Sequence, residues 1–430
     1  MNTGKAAAKT VVSGVGVVSP IGIGNPAFWM SLMEGRSGVG HLRAFSSRNL
    51  PTHFTAEVLD FDPQKHLPKK KFLKVMSRDI QLGVGAAMLA MRDAGLRKGS
   101  VDPDRLGVVF GAGRISTTPQ ELAGAVRKFG REHKPFRAAD WTEDDMQRIA
   151  PLWLLRQLPN MPACHISIAF DARGPNNSIT NRDTSALMSL MEAVNVIERG
   201  AADCMIVGAC GSNIQPVDIA KFCLYEELSK SDRDPETACR PFDLNRDGTI
   251  AGEGAAAFVV ESLAHAERRG AKLYAEILGL GAGCDGRPQN QSIASAGLIN
   301  AMAAALNSAK IGLSDIGHLN AQGIASPRED AIEAASYHQV LGDAATRIPV
   351  TALKSYFGHS DAGSGAMELA GSLLALAHGQ IPQTLNYETP DPACDLNVVR
   401  ESPLPSPHPT ALCVNRTRMG QSAAVVLRLL

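Results

Sequence analysis

An α/β fold is expected from three features of the chain. Apolar, glycine-bearing runs that read as buried strands alternate with Ala-rich amphipathic stretches that read as helices, which implies helices packed on a mostly parallel sheet. From residue 184 onward, Leu187, Leu190, Met191, Val194 and Ile197 fall at the i, i+3, i+4, i+7 spacing of one buried helix face. At 274–283, YAEILGLGAG, a second round of strand, helix and loop signals begins in the order of the first.

Taken in order, 11–20 (VVSGVGVVSP) reads as a buried strand whose glycines let another backbone approach, and Phe28-Trp29 opens a helix that ends near Gly35. Its GxG is not a dinucleotide fingerprint, because the third glycine is missing and Pro20 stands where a helix would open. Residues 82–95 form an Ala-rich helix and 106–113 a strand turning on glycines. The segment 114–162 is a long polar excursion, most polar at 134–145, of the kind that lies on a surface and often meets partners. In 174–200 a tight turn leads into the buried helix that Gly200 ends, which sets Asp183 near its N-cap. A helix N-terminus suits an anion through its free N–H groups and positive dipole end, yet Asp is also an ordinary capping residue, so both a functional and a structural reading stay open there.

Strands follow at 204–208 and 255–261, with PFDLNRDGTIAGEG (241–254) between them. That acidic turn is no EF-hand loop, since Gly254 stands where the bidentate Glu would be. In the second round, HLNAQGIASPRED (318–330) ends a strand and enters a helix. VTALKSYFGHSDAGSGAME (350–368) holds a strand ending at Lys354, a turn carrying His359 and a helix from near Asp361 to Gly379; 415–430 ends in a strand.

With 430 residues the chain can bury one large domain or two, and 44% hydrophobic with 20% charged is ordinary globular composition. Lys+Arg and Asp+Glu both number 43, so no charge excess would steer it to nucleic acid or an anionic membrane. No apolar run approaches 18 residues, so neither a signal peptide nor membrane insertion is expected, and the protein should be cytoplasmic. The eight cysteines include no CxxC pair and several sit in apolar runs, which points to buried reduced thiols and not to disulfides or a metal site.

Over essentially its whole length the chain resembles the β-ketoacyl-ACP synthases, the condensing enzymes of fatty-acid and polyketide synthesis. The start looks like GxGxVSPxG, completed by Gly22, and 241–254 resembles PFD…RDG…GEGA. The run 174–186 is similar to GPS followed by TACASG, with Gly174, Pro175 and Ser185 keeping the frame; 318–330 is similar to NAHGTSTP, 350–368 to KSxxGHxxGAAGxxE, and 415–430 to NSFGFGGTNAxLVF. The resemblance implies a thiolase-like five-layered αβαβα fold of two similar halves, 1–265 and 266–430, with a surface insertion at about 114–162. It also implies a dimer paired through a strand near the nucleophile helix, expected at 164–170.

The same resemblance places Asp183 at the nucleophilic cysteine and Gln322 at the first active-site His, while Lys354, His359 and Glu368 are kept. Ile324 and Ser326 stand where two Thr hydroxyls commonly touch the pantetheine arm, so that a hydroxyl remains at 326 and none at 324. Met419 takes the place of the gating Phe, and Arg418 and Gln421 replace glycines, so the loop should flex less. Arg182 and Arg418, both in place of small family residues, are expected to neutralise Asp183 in a closed pocket. Cys164 is expected to pack in the core.

Condensation needs a thiolate, and a carboxylate cannot substitute, because it is a stable anion and its acyl derivative is a labile mixed anhydride. Malonyl decarboxylation needs two donors where the enolate charge develops; His359 can be one, and the Gln322 amide can donate without exchanging protons. The leading reading is therefore a non-condensing partner or chain-length-factor-type subunit, homodimeric or heterodimeric with an intact ketosynthase. It would meet an acyl carrier protein and bind no cofactor of its own, the acyl group arriving on the carrier's phosphopantetheine arm. Two others stay open: an enzyme with redirected acyl-thioester chemistry (decarboxylation, acyl transfer or hydrolysis) using His359 and Asp183, and a pure acyl or carrier-protein binding module.

Overall fold

Ten strands carry the architecture in the computed structural model, which describes residues 8–67, 70–113, 118–131, 135, 137–286, 293–401 and 404–430. In the first half they are β1 (Thr10–Ser19), β2 (Leu106–Ala112), β3 (Asn176–Ile179), β4 (Cys204–Ser212) and β5 (Ala251–Ser262). In the second they are β6 (Ala275–Cys284), β7 (His318–Asn320), β8 (Val350–Thr351), β9 (Thr410–Arg416) and β10 (Gln421–Arg428). Their spatial order is β8-β7-β9-β10-β6-β1-β5-β4-β2-β3, so each half repeats the order third, second, fourth, fifth, first. The echo in the sequence is thus a full topological repeat.

Pairing directions repeat too. β2 runs parallel to β3 and β4, and β7 to β8 and β9, whereas β5 pairs antiparallel with β4 and β1, and β10 with β9 and β6. The sheet is therefore mixed, not mostly parallel. In the second half the reason is local: the tight turn 417–420, closed by Thr417 and Gly420, can join neighbouring strands only in antiparallel sense. The halves meet where β1 pairs with β6 at Val11 and Val12.

Helices complete five layers. On the outer face of the first half lie α1 (Arg78–Asp93) and α2 (Met161–Phe170), packing Ile80, Val84 and Ile166 against Val108, Ile206 and Val259. Between the halves lie α3 (Ser185–Glu198) and, on the outer face of the second half, α4 (Ala296–Ala309) and α5 (Pro327–Leu341); α6 (Ala362–His378) joins α3 in the middle. Alternate strand residues serve opposite faces: in β4, Met205 and Val207 join the central core while Cys204 and Ile206 join the outer one. Every residue of α6 from Ala362 to Leu376 is buried, as suits a helix that is small or apolar all round apart from Glu368, which is paired with Lys354 and Asn415.

Residues 164–170 are helical, not the expected strand. A short apolar run cannot be told from a buried helix by periodicity, and here Pro162 in the first turn and Asp171 in the left-handed C-cap decide for helix. The strand at the rim is β3, which pairs with β2 on one side only. Cys164 on α2 and Cys223 are half-buried and Cys284, the last residue of β6, is exposed, so the buried-thiol expectation fails at these three. Parts of the excursion at 114–162 (114–117, 132–134 and 136) lie outside the described residues; the rest includes the helices Pro119–Arg131 and Glu143–Gln147 and the 3-10 turns Ala138–Asp140 and Trp153–Arg156, and is mostly exposed or half-buried. Among the described residues no helix is long and apolar enough to cross a membrane.

α6 approaches the turn before α3 only because Gly365 lacks a side chain: a Cβ there would stand 2.6 Å from the Asp183 carbonyl oxygen and 2.5 Å from Asn415 Oδ1. Gly365→Ala should therefore lower stability by roughly 1–3 kcal/mol in chemical denaturation, the usual cost of overpacking. An unchanged unfolding midpoint would show that the helices are not in this contact.

Candidate functional site

Asp183 lies in a 3-10 turn, Arg182–Thr184, that carries the chain from β3 into α3. It is one residue ahead of the helix N-cap Thr184, and its carboxylate is used across the interface between the halves. Asp183 Oδ1 accepts a hydrogen bond from His359 Nε2 at 2.5 Å and another from Gln322 Nε2 at 2.9 Å. One oxygen of the first half thus takes a donor from each of two loops of the second. Both acidic and imidazole side chains are buried, exposed by only 4% and 3%.

Each donor is held from behind. His359 follows Gly358, whose φ of 64° makes the turn, and its backbone is pinned to β5 through Ile250 (2.7 Å) and Gly252 (2.9 Å). The Gln322 Oε1 accepts from Asn415 Nδ2 at 3.1 Å, which leaves its NH2 to face Asp183. Asn415 also donates to Glu368 Oε2 at 2.7 Å, and Lys354 Nζ bridges Glu368 Oε1 and the Gln322 carbonyl, the latter at 2.8 Å. Beneath the loop, the Glu333 carboxylate accepts from the backbone N–H groups of Gln322 and Gly323 at 2.7 and 2.9 Å and from the Tyr337 hydroxyl.

Charges follow from this geometry. Burial alone would raise the Asp183 carboxyl, but His359, Lys354 and Arg182 together hold it well below the usual carboxylate range. For His359, burial favours the neutral ring, and the adjacent Asp183 carboxylate more than offsets it, so the imidazole titrates above its ordinary value. Burial pushes Glu368 up to about 7 against the pull of Lys354. Ligand atoms of Asp183, His359 and Asp361 lie within 4.8 Å of one another. The proton on His359 and the guanidinium of Arg182 on Asp361 are the cations this cluster already holds.

Sequence placed Asp183, Gln322, Lys354, His359 and Glu368 in one site, and the structure brings all five together. It does not do so for the others. Ser326 is the buried N-cap of α5, its hydroxyl bonded to Glu227 and to the Glu329 N–H, and Ile324 is buried. Neither arginine pairs with Asp183 directly: Arg182 binds Asp361 (2.9 Å) and Glu226 (2.7 Å), and Arg418 donates to the Tyr225 carbonyl. Those partners satisfy each guanidinium first. Arg418 and the 62% exposed Met419 instead line a cavity of about 680 Å³ with Phe222, Tyr225, Glu226 and Asp361. Asn415 and Glu333 were missed. Asn415 opens the motif at 415–430, but Glu333 sits eleven residues past Gln322 on α5, and nothing in the sequence pairs it with that loop.

Residues 7–266 match the family described as "Beta-ketoacyl synthase, N-terminal domain" and 274–388 "Beta-ketoacyl synthase, C-terminal domain". The chain is 33% identical over 392 residues to 3-oxoacyl-(acyl-carrier-protein) synthase 2 of Coxiella burnetii (strain RSA 493 / Nine Mile phase I), covering 91% of each chain. It is 34% identical over 437 aligned residues to the tetracenomycin polyketide synthase ketoacyl synthase alpha subunit of Streptomyces glaucescens, covering 99% of this chain and 98% of that one. A solved structure, the ishigamide ketosynthase/chain length factor, matches at a TM-score of 0.85 and 26% identity, over 99% of this chain and 100% of the other.

The ion pair should give stability a distinctive pH dependence. A depressed carboxyl stabilises above its unfolded value of 3.8 and loses this as pH falls, whereas a raised imidazole stabilises below its unfolded value of 6.5 and loses this as pH rises through the folded value. The contribution is complete only between the two. Compared with His359→Asn, the wild type should show its largest melting-temperature advantage near about pH 5.5, shrinking at alkaline pH. A constant advantage up to pH ~9 would mean that His359 is neutral beside Asp183.

Proposed function

This chain belongs to the β-ketoacyl synthase family of fatty-acid and polyketide biosynthesis, and on that premise we propose that it is a non-condensing partner subunit of chain-length-factor type. The observation that carries the proposal is that Asp183 Oδ1 accepts from both His359 and Gln322. Those two side chains stand where donors for a thioester oxygen are needed, and an internal carboxylate already occupies them. A substrate oxygen would have to displace a buried, paired anion, and no thiol stands at 183 to receive an acyl chain.

The rest of the reading concerns partners. The rim strand β3 is the surface through which a second subunit would extend the sheet, and an intact ketosynthase is the partner that would supply the missing thiol. The structure named ketosynthase/chain length factor favours this pairing, and the name of the Coxiella relative favours an acyl carrier protein as the donor. Under this reading the halves divide near 265/266, Lys354, Glu368 and Asn415 hold Gln322 in place, Arg418 and Met419 border the acyl approach, no cofactor is bound, and the protein works in the cytoplasm.

A second reading, redirected thioester chemistry, is favoured by one feature: the Asp183–His359 pair has the form of an oriented general base. Thioester assays separate the two. The purified protein should not hydrolyse or decarboxylate a malonyl or acyl carrier thioester, and Asp183→Cys alone should not condense, because Gln322 still lacks an imidazole. The double change Asp183→Cys with Gln322→His has the better prospect. Wild-type turnover abolished by Asp183→Asn would establish the second reading instead. Asp183→Ala, which leaves buried donors unpaired, should cost roughly 1–3 kcal/mol of stability under the first.

A further inference from the structure

The cavity of about 680 Å³ reaches the neighbourhood of residue 183 without touching it: Arg182, Asp361, Glu226 and Phe222 line it, and Asp183 and His359 do not. The Phe222 ring, 5.5 Å from the His359 ring, marks how thin the separation is. Arg182, the residue next to Asp183, lines this cavity with its Nε on Asp361 and its far nitrogen on Glu226. Arg182 is 30% exposed, while Glu226 and Asp361 are exposed by 4% and 13%, so the guanidinium forms the cavity wall and the acids anchor it.

We propose that Arg182 is a closing residue, a guanidinium bolt across the floor of the cavity that keeps a thioester arm from position 183. Backbone and packing are shaped for it. Arg182 and Asp361 both hold positive φ, 50° and 56°, a backbone region uncommon for non-glycine residues. Room for Asp361 depends on Gly113, where a Cβ would stand 2.4 Å from Asp361 Oδ2. An arm reaching 183 would have to displace the guanidinium and leave two largely buried carboxylates without their cation, which disfavours opening. In the motif that 181–186 resembles, a small residue stands at this position. The inference deepens the non-condensing reading and rests on it for the cavity's role: besides lacking a nucleophile, the protein shuts the way to where one would be.

Asp183→Cys makes the passage measurable, with alkylation by iodoacetamide followed by mass spectrometry of the peptide carrying residue 183, so that reaction at Cys284, Cys164 or Cys223 is not counted. Adding Arg182→Ala should speed alkylation at 183 by at least about tenfold, the factor for roughly 1.4 kcal/mol removed from the opening cost. Removing a cation beside a thiol raises its pKa and by itself slows alkylation, so acceleration reports access. Equal or slower reaction overturns the proposal. Should Arg182→Ala fail to fold, Glu226→Gln in the Asp183→Cys background releases one anchor; acceleration there supports the bolt, and an unchanged rate overturns it. No partner or carrier protein takes part, so the partner reading survives a negative result here, and wild-type thioester turnover would sink that reading without touching these rates.

Discussion

A single buried oxygen, Asp183 Oδ1, organises the site, because it accepts both of the donors that the fold aims at one point. Such a point is normally costly to leave empty, since buried donors lose water and gain nothing. Here a side chain of the protein fills it. The carboxylate supplies the negative charge that burial would otherwise forbid, and His359 supplies the positive charge that lets the carboxylate stay ionised. Each charge stabilises the other, with Lys354 and Arg182 adding to the hold on the carboxylate.

Duplication puts the two sides of that contact in place. Asp183 stands in the turn after the rim strand of the first half, and Gln322, His359, Lys354, Glu368 and Asn415 come from the second, from the segments that follow β7 and β8, from β9 itself and from α6. The repeated strand order sets the halves face to face across α3 and α6. Small residues on α6 let those loops converge; Gly365 sits against both the Asp183 carbonyl and Asn415. Packing at the centre and chemistry at the site are therefore one constraint.

Most of this was legible in the chain, for identifiable reasons. The helix at 184–197 showed because its apolar spacing is helical, and Asp183 because turn and cap signals surround it, whereas Gln322 and the site role of His359 came from the resemblance of 318–330 and 350–368 to the family's motifs. The α2 helix was misread because MPACHISIAF is apolar without a period, and the sheet was expected to be parallel because alternating signals do not reveal that β4 and β5 lie side by side. Pairing of Arg182 with Asp361 and Glu226, instead of Asp183, could not be read at all: the three are joined only by the fold, and a positive φ at two non-glycine residues leaves no mark in the sequence. Ser326 caps α5, a role that a hydroxyl before a proline-led helix can take and that the sequence reading did not assign to it.

The most direct measurement of the internal ion pair is a nitrogen-15 NMR titration of the histidine rings in the wild type and in Asp183→Asn. His359 is expected to keep both ring protons to a midpoint above 6.5, with a downfield Nε2 proton shared with Asp183 that vanishes when residue 183 becomes neutral. A ring that is already neutral below pH ~6, or a titration that Asp183→Asn leaves unchanged, would contradict it.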